Sequence, residues 1–134
     1  MKKTLLIIGS FSTEEEALKR KLEVREIILD AHKKGCKIVS TGGKNLGGLI
    51  ATIAEELRKD KICVNLQQII TPRKKFFDKN GENFLDSWRH GFLAEHYKNE
   101  VIAIGGGKGT AREIQIIEAL RGYLNENHKK FTRL

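Results

Sequence analysis

The chain holds one proline and two cysteines among 134 residues, and none of its apolar runs approaches the roughly 20 residues that a membrane-crossing helix needs. Cys36 and Cys63 each stand in or beside an apolar run with no CxxC spacing and read as buried, reduced thiols. His32, His90, His96 and His128 fall at no ligand spacing such as HExxH, so no metal is expected, and no cofactor either. The opening MKKTLLIIGS offers only a short apolar segment, and charged TEEEALKRK follows where a signal-peptide cleavage site would lie. A cytoplasmic protein with no membrane partner is the expectation. Internal repeats and low-complexity tracts are missing as well.

What is present fits one domain spanning residues 1–134, with 40% hydrophobic residues, enough for one core and too few for two. The net charge of +8 suggests an anionic partner, since a basic field raises the local concentration of anions. Both signs are nevertheless interspersed, as in ALKRKLEVRE, and only PRKK at 72–75 is compact. The basic residues lack the interleaved aromatics on which bases stack, which disfavours nucleic acid as the partner.

Short β-branched runs at 4–9, 36–42, 61–70 and 100–106 have the character of strands buried on both faces. Helical spacing lies between them. Residues 13–34 carry Leu18, Leu22, Ile28 and Ala31 near one face, with Thr13 and Glu16 as a capping box and Gly35 as a stop. Residues 48–59 place Leu49, Ile53 and Leu57 four apart, and 85–98 and 110–127 supply two more helices. The order β-α-β-α-β-loop-α-β-α, with right-handed crossovers, predicts an α/β, Rossmann-like, doubly wound and mostly parallel sheet; if its strand order is 3-2-1-4, the first and fourth strands lie side by side at the switch point. The polar connection 71–86, which includes Pro72, reads as a functional lid or a mobile insertion.

Glycines and hydroxyls collect where such a sheet binds ligands, at the carboxyl ends of its strands. The first strand ends GSFS (9–12), the second STGGKNLGG (40–48) and the fourth GGGKGT (105–110). These loops make Gly9, Ser10, Gly42, Gly43, Gly105, Gly106, Gly107, Gly109 and Thr110 candidate binding residues for a phosphate or carboxylate, because glycine admits an anion to the backbone N–H groups and a helix start adds partial positive charge. Tight strand-to-helix turns also use glycine for steric reasons alone. Neither GxGxxG after the first strand nor GxxxxGK[ST] occurs, so a conventional dinucleotide dehydrogenase or P-loop NTPase is disfavoured.

GGGKGTARE at 105–113 is similar, apart from its first residue, to the PGGxGTxxE signature of the LOG-like, or "lysine decarboxylase-like", Rossmann proteins, whose characterised members are nucleoside 5'-monophosphate phosphoribohydrolases. IIGSFS resembles the CGSS segment of that family's first strand, TGGKNLGGLIA its GGGxxGLMG segment, and QIITP the GIIP that ends its third strand. The resemblance implies a nucleotide or other phosphorylated small molecule as ligand, and a homodimer or dimer of dimers. It carries the family's catalytic glutamate onto Glu113 and its catalytic arginine onto Arg89. Cleavage of a ribosyl C1'–N bond builds oxocarbenium-like charge that a carboxylate stabilises, while an arginine clamps phosphate or assists departure of the base.

The chain departs from the family pattern at Gly105, Arg112, His90, Ile50 and Ala51, and NENHKKFTRL shows no strand after the last helix. A sheet edge is therefore expected to be exposed or covered by another subunit. Thr110 and Glu113 also read as a plain capping box, and Arg89 as a solvated or ion-paired arginine. Three functions stay open: N-glycosidic hydrolysis; a non-catalytic carrier or sensor of a nucleotide or molybdenum-cofactor-type ligand; and, last, single-stranded nucleic-acid binding. Trp88, Phe92, Ile116, Ile117 and Leu120 spread over more than one helix face, which points to a dimer interface on the last two helices.

Overall fold

The computed structural model describes residues 3–41, 43–69, 81–123 and 130–134, with backbone alone for 81–88. Strands β1 (Thr4–Ser10), β2 (Lys37–Ser40), β3 (Leu66–Gln68), β4 (Glu100–Gly105) and β5 (Phe131–Arg133) form one parallel sheet in the order β3-β2-β1-β4-β5. Around it stand α1 (Glu14–Lys19), α2 (Lys21–Lys33), α3 (Leu46–Lys59), α4 (Gly81–His96) and α5 (Lys108–Tyr123). The expected Rossmann-like α/β fold is the observed one.

Strand alternation divides the core in two. Leu5 and Ile7 of β1 face a layer built from α1, α2 and α3, with Val24, Ile28, Ile50, Ile53 and Leu57 at its centre. Leu6 and Ile8 face the opposite layer, where Phe92 and Leu93 of α4 meet Ile116 and Ile117 of α5. A strand covered on both faces needs apolar side chains at every position, which is why TLLII has no polar alternation. The crossover from β1 to β2 therefore runs on one face and that from β3 to β4 on the other, so β1 and β4 flank the point where the winding reverses.

Several expectations are corrected. The helix expected over 13–34 is two helices meeting at Arg20, whose φ of −103° and ψ of 8° interrupt the spiral. Its buried stripe runs through Ala17, Val24, Ile28 and Ala31, whereas Leu18 and Leu22 are 67% and 75% exposed. Leu18 and Leu22 lie one position along from that stripe, a rotation of about 100° on a helix, and continuing their row would have buried Arg25. The third strand shrinks from ten residues to the three of β3, and Cys63 is exposed while Cys36 is buried.

The exposed sheet edge expected beside the fourth strand is covered. β5 pairs in parallel with β4, Val101 opposite Phe131 and Ala103 opposite Arg133. Its short basic sequence carries little strand signal, but tertiary contacts hold it. The guanidinium groups of Arg121 and Arg133 lie 5.5 and 5.6 Å from the centre of the Phe131 ring, and Arg133 also pairs with Glu118 of α5.

The apolar residues expected at a dimer interface are mostly taken up within the chain. Phe92, Ile116 and Ile117 are buried in the second core layer and Leu120 packs against it, so their spread over the helices is covered by sheet and neighbouring helix. The side chain of Trp88 lies outside the described residues, as do Pro72 and the PRKK cluster. Among the described residues no helix is long and apolar enough to cross a membrane.

Candidate functional site

The carboxyl ends of β1 and β4 lie side by side, with Ser10 opposite Gly105. Several of the glycines there are required by the chain's own backbone. A Cβ on Gly43 would stand 1.8 Å from the carbonyl oxygen of Gly9, and one on Gly9, at φ +133°, would stand 2.0 Å from that of Ile104. The β2–α3 loop thus rests directly on the end of β1, and β1 on β4. Gly105, at φ +59°, brings its Cα close to the carbonyl of Ser10, and a Cβ on Gly106 would collide with the side chain of Thr110. Gly107 has open space around its missing side chain. Gly42 lies outside the described residues.

The same contacts fix the loops. Phe11 N–H donates to the carbonyl of Lys44 at 2.8 Å, and Asn45 Nδ2 donates to the carbonyl of Phe11 at 2.8 Å. Asn45 takes the left-handed conformation at φ 60° that this double clasp requires, a conformation asparagine tolerates better than most residues. Thr13 caps α1 by accepting from the N–H of Glu16 at 3.1 Å. The reciprocal carboxylate bond is displaced by one residue, since Glu16 Oε2 accepts from the N–H and hydroxyl of Ser12 rather than from Thr13.

Between these loops opens a cleft of about 190 Å³. Ser10, Phe11 and Ser12 line it from the β1 side, Glu16 from α1, Lys44 from the β2–α3 loop, and Gly106 and Gly107 from the β4–α5 loop. Of the expected residues, Ser10, Gly106 and Gly107 meet there. Gly9, Gly43 and Gly105 shape the floor through backbone contact. Lys44, Ser12 and Glu16 are additions. Lys44 had a signal, as the one cation inside the glycine-rich stretch 40–48, whereas Glu16 reads in the sequence as part of a cap.

Helix α5 begins at Lys108, with Gly107 accepting from the N–H of Ala111 at 3.0 Å in the N-cap position. Thr110 is therefore inside the first turn, buried against Gly106, and the expected Thr110–Glu113 capping box is not formed. Opening the helix two residues earlier leaves the first-turn N–H groups beside Gly106 and Gly107, where the dipole favours an anion.

Arg89 and Glu113 sit on the other flank, where α4 packs on α5. An Arg89 guanidinium nitrogen lies 3.3 Å from the place a Cβ on Gly109 would take, so Gly109 makes room for that arginine. Glu113 is half-buried, and its Oε2 is buried without a hydrogen-bond partner. Burial pushes its carboxyl up to about 7, against the opposing pull of the Arg89 charge. Neither Arg89 nor Glu113 is among the residues lining the 190 Å³ cleft.

Chemically, the cleft offers one lysine, hydroxyls and a helix start for an anion, together with a carboxylate that accepts from hydroxyls. The flank adds a carboxyl poised to exchange a proton near neutral pH. No group of three or more His, Cys, Asp or Glu is placed to hold a metal among the described residues. No protein-family model and no curated protein matches the chain. Fold and site together define a Rossmann-like, doubly wound α/β protein with a polar cleft at its switch point.

Proposed function

We propose that the chain binds a nucleoside 5'-monophosphate at the switch point and, as a LOG-like phosphoribohydrolase, hydrolyses its N-glycosidic bond. The observation that carries this reading is the cleft itself, where Lys44, Ser10 and the Gly106–Gly107 loop leading into α5 converge on a space suited to a phosphate. The resemblance of GGGKGTARE to the LOG-like signature supplies the reaction, and the raised carboxyl of Glu113 suits it. In that reaction the oxygen of water bonds to C1', the C1'–N bond breaks, and the base departs with a proton, giving free base and ribose 5-phosphate. Positive charge developing at the ribose favours the ionised form of Glu113, so the carboxyl stabilises the transition state more than the ground state. Arg89 holds phosphate or assists the leaving base.

A second reading, a carrier or sensor that binds without turnover, is favoured by the position of Arg89 and Glu113 outside the cleft lining. Chromatography of a panel of nucleoside 5'-monophosphates incubated with the protein separates the two. Release of free base that is lost in Glu113→Gln is the expected result. A monophosphate that binds and is recovered unchanged overturns the catalytic reading and leaves the carrier.

The same proposal includes a homodimer, on the resemblance to LOG-like proteins, which commonly pair through helices flanking the site, and places the protein in the cytoplasm.

A further inference from the structure

Two opposite charges line the cleft without meeting. Lys44 is exposed, and its side-chain ammonium makes no hydrogen bond or ion pair among the described residues. Glu16 is half-buried, and Ser12 holds its Oε2 by a hydroxyl at 2.7 Å and a backbone N–H at 3.2 Å, which leaves Oε1 without a partner among the described residues. A carboxylate held in this way has already lost much of its side-chain freedom, so a ligand that hydrogen-bonds to it meets an ordered acceptor.

We infer that the cleft reads the sugar–phosphate half of its ligand, with Lys44 taking the phosphate and Glu16 accepting hydrogen bonds from the vicinal hydroxyls of a ribose. The inference rests on the nucleotide reading above and gives it a specificity. Among the described residues the cleft offers about 190 Å³, room for a sugar–phosphate group.

Charge supports it as well. A cleft built for phosphate alone would gain nothing from a carboxylate, which repels the anion and accepts hydrogen bonds only. A diol brings the O–H donors that Glu16 lacks, and O–H···O⁻ bonds are among the stronger neutral-to-ion contacts.

Titration calorimetry on the full chain tests this with ribose 5-phosphate, 2-deoxyribose 5-phosphate and AMP. Ribose 5-phosphate should bind at least about tenfold more tightly than its deoxy counterpart, the loss expected when one hydrogen bond to a charged group is removed. Glu16→Ala should erase that difference, and Lys44→Gln should weaken all three ligands together. Equal binding of the two pentose phosphates by the unaltered protein overturns the role of Glu16 while leaving the nucleotide reading in place. Binding of AMP but of neither pentose phosphate overturns the assignment of the cleft to the sugar. Failure of all three to bind removes the nucleotide reading itself.

Discussion

Glu113 is the residue whose chemistry burial changes most. Its carboxyl is raised from the usual 4.5 to about 7, so the folded protein holds a proton there that the unfolded chain releases. Below the unfolded value both states are protonated and the group has no effect. As pH rises through the interval to about 7, the unfolded chain binds fewer protons than the folded one and stability falls, by on the order of 3 kcal/mol for a shift of this size. Urea unfolding at pH 5 and pH 8 should show that decline in the native protein and much less of it in Glu113→Gln. A decline of equal size in both would place its origin elsewhere.

The glycines separate at this scale by what stands where their side chains would be. Gly9→Ala and Gly43→Ala put a methyl group into a carbonyl oxygen, so each should destabilise by at least about 3 kcal/mol or prevent folding. Gly107→Ala meets open space and should change stability by no more than about 1 kcal/mol. It should nevertheless weaken phosphate binding, because the new methyl group stands at the mouth of the helix start. Paired melting and binding measurements distinguish the two groups. In the sequence all of these residues look alike, since a glycine does not record whether a carbonyl or a ligand approaches it.

At the scale of elements, Arg121 ties the second layer together. Buried in α5, it donates from Nε to the carbonyl of Tyr97 at 2.6 Å and from a guanidinium nitrogen to that of Asn99, satisfying carbonyls just past the end of α4, and it lies over Phe131 of β5. Arg121→Met retains the bulk but leaves those acceptors without their donor, and should destabilise by about 2–4 kcal/mol. Thermal melting measures it, and a variant as stable as the native protein would show that other donors replace the guanidinium. The strands β1, β2 and β4 and the helix α3 were legible from apolar runs and four-residue spacing, because both patterns are local. The break at Arg20 and the strand β5 were not. The first follows from the competition of two helical stripes for one sheet surface, and the second from a ladder and a stacked ring contributed by residues distant in sequence.

For the whole molecule, the proposed homodimer predicts a sedimenting species of twice the 15.2 kDa chain mass at micromolar concentration. A monomer at that concentration would remove the homodimer and any site shared between copies. The interface expected from Phe92, Ile116 and Ile117 is no longer available, since the sheet covers them. Large hydrophobic side chains left exposed among the described residues are Leu18, Leu22, Tyr123 and Leu134.

The alternation of the first four strands with helices and the parallel sheet followed from the sequence, because a strand buried on both faces must be apolar throughout and a parallel strand must be reached by a crossover. Which glycines the backbone occupies, that Lys44 and Glu16 share a cleft, and that Glu113 loses enough water to hold its proton near neutral pH were settled only by the tertiary structure. Close approach, convergence and desolvation depend on residues far apart in the chain, and no local pattern encodes them.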